Sequence, residues 1–162
     1  MDISFNQESS LLTSAYVLRQ IDRYPYLQSM VRILKYLLSQ RGMNDTYTGG
    51  VGSFMTTLLC LACEQWSIRF ELIGFFHCRE GTERGGLGSH LIQFLYFYGL
   101  LYNFDKLTLR VKNDGCFLSK TEKGWFDSST PWHLSVENPI DPSLDVGKAS
   151  YHIKVGLRGA MQ

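Results

Sequence analysis

Apolar residues in the stretch 26–40 recur with the spacing of one helix face. Leu27, Met30, Val31, Leu34 and Leu38 fall at i, i+3, i+4, i+7 and i+11, while Arg32, Lys35 and Ser39 share a flank off that stripe. The pattern predicts a helix from Tyr26 to Gln40 with a dry side and a side that can meet something negative. It ends at "RGMND", where Gly42 and Asn44 are good terminators. Upstream, Leu11, Leu12, Ala15, Leu18 and Ile21 predict another helix, closed by Pro25. Downstream, Phe54 to Trp66 is apolar on most sides and reads as a core helix with Ser53 as its N-cap. Periodicity is then lost in "SIRFELIGFFHCREGTERGG", expected to be a loop, and returns as an aromatic, amphipathic helix from Leu87 to Asn103.

The period changes to two in the last third. Leu107, Leu109 and Val111 alternate with Thr108, Arg110 and Lys112, the pattern of a half-buried strand, and "CFLSK" is placed to pair with it across the turn at "NDG". "HLSVENPIDPSLDVGKAS" is expected to be a long loop, and "YHIKVGLRGAM" carries a weak helical pattern. At the other end "DISFN" alternates too, with Ile3 and Phe5 on one face and Asp2, Ser4 and Asn6 on the other. The sum is an α+β fold, mostly helical.

Composition narrows the function classes. With 16 basic and 15 acidic residues among 162, the net charge is +1, so any contact with nucleic acid is local. No secretory signal pattern opens the chain, which points to an intracellular protein. "LIQFLYFYGLLYNF" is interrupted by Gln93 and Gly99 and is shorter than the roughly 18 to 20 residues a bilayer span needs, so no membrane anchor is expected. The four cysteines are then expected to be reduced. Cys60 and Cys63, with His77 and Cys78 downstream, have a zinc-like spacing, but on a core helix buried thiols are the simpler reading. None of the four histidines stands in a nucleophile motif. "GGVGS" before a helix is the type of loop that cradles phosphate, or else a tight turn between packed helices.

"DISFN", the helix carrying Lys35, "YTGGVGSF" and "VENPIDPSLDVGKASY" occur in an order that resembles the nuclear TRAMP-type poly(A) RNA polymerases among the terminal nucleotidyltransferases. The resemblance implies a chain made of the C-terminal part of a polymerase-beta-like nucleotidyltransferase domain (1–24) followed by the helical PAP-associated central domain (25–162), with a nucleotide recognition loop at 136–151. It implies Asp2 as a catalytic, metal-binding carboxylate for Mg²⁺ or Mn²⁺, and Asn6 beside the nucleotide sugar. Lys35, Gly49, Gly50 and Ser53 would meet the phosphates, Phe54 would stack the base, and Asp145 and Lys148 would serve in recognition. Leu144 stands where uridylyl-transferring relatives often have histidine, which favours adenylate. The resemblance further implies ATP and RNA 3′ ends as substrates, a zinc-knuckle protein and an RNA helicase as partners, and the nucleus as compartment. The family's D-x-D after a Gly-Ser loop has no counterpart here, so the chain alone is expected to be inactive. The alternatives are a nucleotide- or RNA-binding fragment without chemistry, or a truncated gene product, and an RNA uridylyltransferase.

Overall fold

The computed structural model describes residues 8–72 and 86–153. The strand expected at 2–6, with Asp2 and Asn6, lies outside them, as do His77, Cys78 and the tail beyond Ile153.

Helix α1 (Glu8–Arg23) is followed by α2 (Leu27–Gln40), which buries Leu27, Met30, Leu34 and Leu38 as its periodicity requires. These side chains pack against α3 (Ser53–Leu72), whose apolar residues Met55 and Leu58 to Cys63 are buried on all sides. α3 departs from expectation at both ends. It continues past Trp66 as far as Leu72, into the start of the stretch expected as a loop, because extending a formed helix fixes one residue per hydrogen bond gained, so a blurred pattern suffices once several turns exist. At its start Ser53 is the first helical residue rather than the cap. The Gly52 carbonyl accepts the Thr56 amide at 2.9 Å, so glycine holds the cap position.

α4 (Leu87–Tyr96) runs into a π-helical turn (Phe97–Leu101), where the Tyr102 amide bonds five residues back to the Phe97 carbonyl at 2.8 Å. Phe94, Phe97, Tyr98 and Tyr102 thereby enter one aromatic cluster, with the buried Tyr98 hydroxyl donating to the Leu59 carbonyl at 3.0 Å. No helix among the described residues is long and apolar enough to cross a membrane.

Strands β1 (Leu107–Arg110) and β2 (Cys116–Ser119) form the expected antiparallel pair, Leu107 facing Ser119 and Arg110 facing Cys116. Asn113 and Asp114 both take positive φ in the turn, as a tight hairpin demands. The expected solvent face of β1 is not open, however: Thr108 is fully buried. Residues 135–137 run parallel along β1, with the Leu109 amide on the Ser135 carbonyl (3.0 Å) and the Glu137 amide on the Leu109 carbonyl (2.8 Å). The hairpin therefore carries a third, irregular strand on its free edge.

Candidate nucleotide site

The long loop of the sequence is an organised structure on that third strand. Its flanks pair with each other: the Asn138 amide bonds the Leu144 carbonyl at 3.0 Å, and the Val146 amide bonds the Val136 carbonyl at 2.9 Å. Residues 139–143 are left as a tip, turned by Asn138 and Asp141, whose carboxylate takes the Ser143 amide and hydroxyl. Those bonds hold the Asp141 carboxyl below its usual range.

Asp145 ties the base of the loop together. Its Oδ1 accepts the amides of Val136 (2.9 Å) and Gly147 (2.8 Å), and its Oδ2 accepts the Ser135 hydroxyl (2.8 Å). Ser135, having donated its proton, accepts from Thr108 at 2.8 Å, which explains the buried threonine on β1. Gly147 is required here, since a Cβ would collide with the Leu134 carbonyl.

Glu137 fixes the loop to the hairpin. Its side chain is 1% exposed and pairs with Arg110 through two bonds (2.7 and 3.0 Å) and with Lys123 Nζ at 2.7 Å. Burial alone would raise its carboxyl, but the hydrogen bonds and charges of Arg110 and Lys123 together hold it below the usual range. Lys123 Nζ also reaches the Pro142 carbonyl at 2.9 Å and sits 4.5 Å over the Trp125 ring. A second lysine is buried nearby: Lys120 Nζ donates to the carbonyls of Phe104 (2.5 Å), Pro131 (2.8 Å) and His133 (2.5 Å).

Between this loop and residues 124–133 lies a cleft of about 450 Å³, with Trp125, Phe126 and His133 on one wall and Leu144, Asp145 and Lys148 on the other. Lys35, Ser53 and Phe54 do not line it. Lys35 and Ser53 are exposed on the α2–α3 side, and Phe54 is half-buried against the core. The Ser39 hydroxyl bonds back to the Tyr36 carbonyl at 2.8 Å, so it is engaged within its own helix.

The two regions meet through Gly49. Its carbonyl accepts the His152 amide at 3.1 Å, and with φ at +81° its missing Cβ leaves room for the Tyr151 ring. The amides of Gly49 and Gly50 are spent on the carbonyls of Thr46 and Asp45, so neither is offered to a phosphate. The open donor end of this segment is the first turn of α3, at Ser53 and Phe54. Cys60 and Cys63 are buried free thiols, and burial pushes the Cys60 thiol up.

Residues 86–144 match the family described as "Cid1 family poly A polymerase". The chain is 32% identical over 154 residues to Poly(A) RNA polymerase cid14 of Schizosaccharomyces pombe, covering 93% of this chain and 21% of that protein. It is 32% identical over 165 residues to the inactive non-canonical poly(A) RNA polymerase protein Trf4-2 of Drosophila melanogaster, covering 99% of this chain and 38% of that one. Along nearly its whole length the chain is similar to terminal nucleotidyltransferases of the PAP-associated type. Its fold is that of the polymerase core of TRAMP, an RNA surveillance complex, with a TM-score of 0.72 at 24% identity over 90% of this chain and 44% of that one. Cid1 bound to the UTP analogue UMPNPP superimposes with a TM-score of 0.71 at 21% identity, over 94% of this chain and 55% of that structure. The chain thus spans well under half the length of these two curated relatives of the PAP-associated nucleotidyltransferases.

Residues 136–151 are the expected recognition loop; Glu137 and Lys123, which brace it, and Lys120, which gathers the Phe104, Pro131 and His133 carbonyls, were not legible as a site. Their partners lie 11 to 27 positions away, and no local spacing records such a contact.

Proposed function

We propose that this chain is the nucleotide-selecting part of a template-independent RNA 3′-end nucleotidyltransferase that adds adenylate from ATP. The observation that carries the reading is the junction at Gly49, where the segment leading to the α3 N-terminus packs against the end of the recognition loop. A nucleotide held at the α3 N-terminus would then have the recognition loop as a neighbour. In this reading Lys35 and Ser53, with the open amides of the first α3 turn, neutralise the triphosphate, because a helix N-terminus carries partial positive charge. Phe54 stacks the base, and Leu144 and Lys148 present an apolar edge and a cation to it, while Asp145 shapes the loop. Leu144 offers no hydrogen bond to a uracil edge, which supports adenine.

Residues 1–24 are proposed as catalytic-domain sequence and 25–162 as the central domain, in a nuclear enzyme acting with an RNA-binding zinc-knuckle protein and a helicase. Mg²⁺ or Mn²⁺ is assigned to Asp2, outside the described residues. No group of three His, Cys, Asp or Glu suited to a metal exists among the described residues, so they do not by themselves fit the ion. A second reading, nucleotide or RNA binding without chemistry, is favoured by the likeness to a relative described as inactive.

Titration with ATP and UTP, alongside extension of a labelled RNA primer, tests both. Binding of ATP that weakens roughly tenfold in Lys35→Ala, as loss of one charged contact predicts, supports the site. Extension of the primer selects the enzyme over the binding module. Absence of both nucleotide and RNA binding by the wild-type protein would sink both readings.

A further inference from the structure

The recognition loop is closed at its base by Asp145, but its tip, 139–143, projects beyond that tie. Among the described residues, the side-chain bond that reaches the tip from outside the loop is that of Lys123 Nζ to the Pro142 carbonyl, at 2.9 Å. The same ammonium is anchored at 2.7 Å on Glu137, itself immobilised on β1 by the two-pronged bond to Arg110. The chain of contacts runs from a rigid strand, through a buried carboxylate and a lysine, to the carbonyl two residues before Leu144. Leu144, 52% exposed, stands at the mouth of the cleft.

We propose that Lys123 is a positioning residue for base selection, fixing the height of Leu144 against the incoming nucleotide. The inference rests on the recognition reading given above. Selection between bases depends on a side chain held to within about half an ångström, and an apolar edge discriminates only if it cannot swing aside. The geometry separates Lys123 from the fold it serves. Without it, Glu137 keeps both bonds to Arg110, so no buried charge is orphaned.

The test uses Lys123→Met and Lys123→Arg in the natural full-length protein. Two quantities are read: hydrogen exchange of the amides in 138–146, which needs no activity, and the ratio of kcat/KM for ATP over UTP with an RNA primer. For Lys123→Met, exchange at Leu144 and its neighbours should rise about tenfold, as expected when one charged tie to a local opening is lost. The nucleotide ratio should fall roughly tenfold through KM, with kcat little changed. Lys123→Arg, which can still bridge a carboxylate and a carbonyl, should restore both. Unchanged exchange would overturn the proposal, and so would faster exchange with an unchanged ratio. A wild-type protein that neither binds nor transfers a nucleotide would overturn the recognition reading, and this inference with it. A wild type that selects between nucleotides as strongly as Lys123→Met does would overturn this inference alone.

Discussion

Asp145 illustrates how a residue's type can be read from sequence while its work cannot. Its position in "LDVGKAS" is where the resemblance expects a recognition residue, yet its carboxylate is filled by the amides of Val136 and Gly147 and the Ser135 hydroxyl. The substituents it tolerates follow from that geometry. Asp145→Asn keeps one oxygen for the amides of Val136 and Gly147 and can donate from its nitrogen to Ser135, which is free to accept. It should cost less than about 1 kcal/mol, whereas Asp145→Ala, which strands three half-buried donors, should cost about 2 kcal/mol or more. Urea denaturation of the two variants checks this, and equal midpoints would count against the clamp. Of the other residues assigned to the site, Lys35 and Ser53 are exposed, while Gly49 and Gly50 use their amides within the turn.

At the scale of elements, the helices were readable wherever one face is dry. The stripe from Leu27 to Leu38 is buried as its spacing requires, because burial on one side writes a period into the sequence. β1 was misread on one face for the converse reason. Its cover, Ser135, comes from 27 positions downstream, and a threonine that bonds a distant serine looks like a solvent-facing threonine. The Gly49–Tyr151 contact is similarly non-local and makes a testable link between two elements. Gly49→Ala should cost roughly 1 kcal/mol for its left-handed backbone plus a further 1–3 kcal/mol for displacing the ring. In a Tyr151→Ala background only the backbone part should remain. A double-mutant cycle with no coupling between the two positions would mean that the glycine loop and the loop 136–151 are independent.

At the scale of the molecule, an exposed apolar face among the described residues lies on α1, where Leu11 is 73% exposed and Leu18 63% exposed on one helical face, with Leu12 beside them. Elsewhere α1 is held lightly, by the Tyr16 hydroxyl on the Val111 carbonyl and by the exposed Arg23–Asp114 pair, which is worth less than about 1 kcal/mol. With a net charge of only +1, repulsion between molecules does little to offset such a face. The chain expressed by itself should therefore self-associate, and Leu11→Glu with Leu18→Glu should return it toward monomer in sedimentation velocity. A wild-type chain that stays monomeric as its concentration rises would show that the leucines are tolerated as they stand.

The three carbonyls gathered around Lys120 have a consequence for how this architecture behaves in different media. Loops are often organised by a bound calcium or potassium ion, which must be captured after synthesis and can be stripped by a chelator. Here the cation is part of the chain, delivered with every copy and impossible to wash out. The junction of Phe104, Pro131 and His133 should thus be indifferent to chelators and to the ionic composition of the buffer.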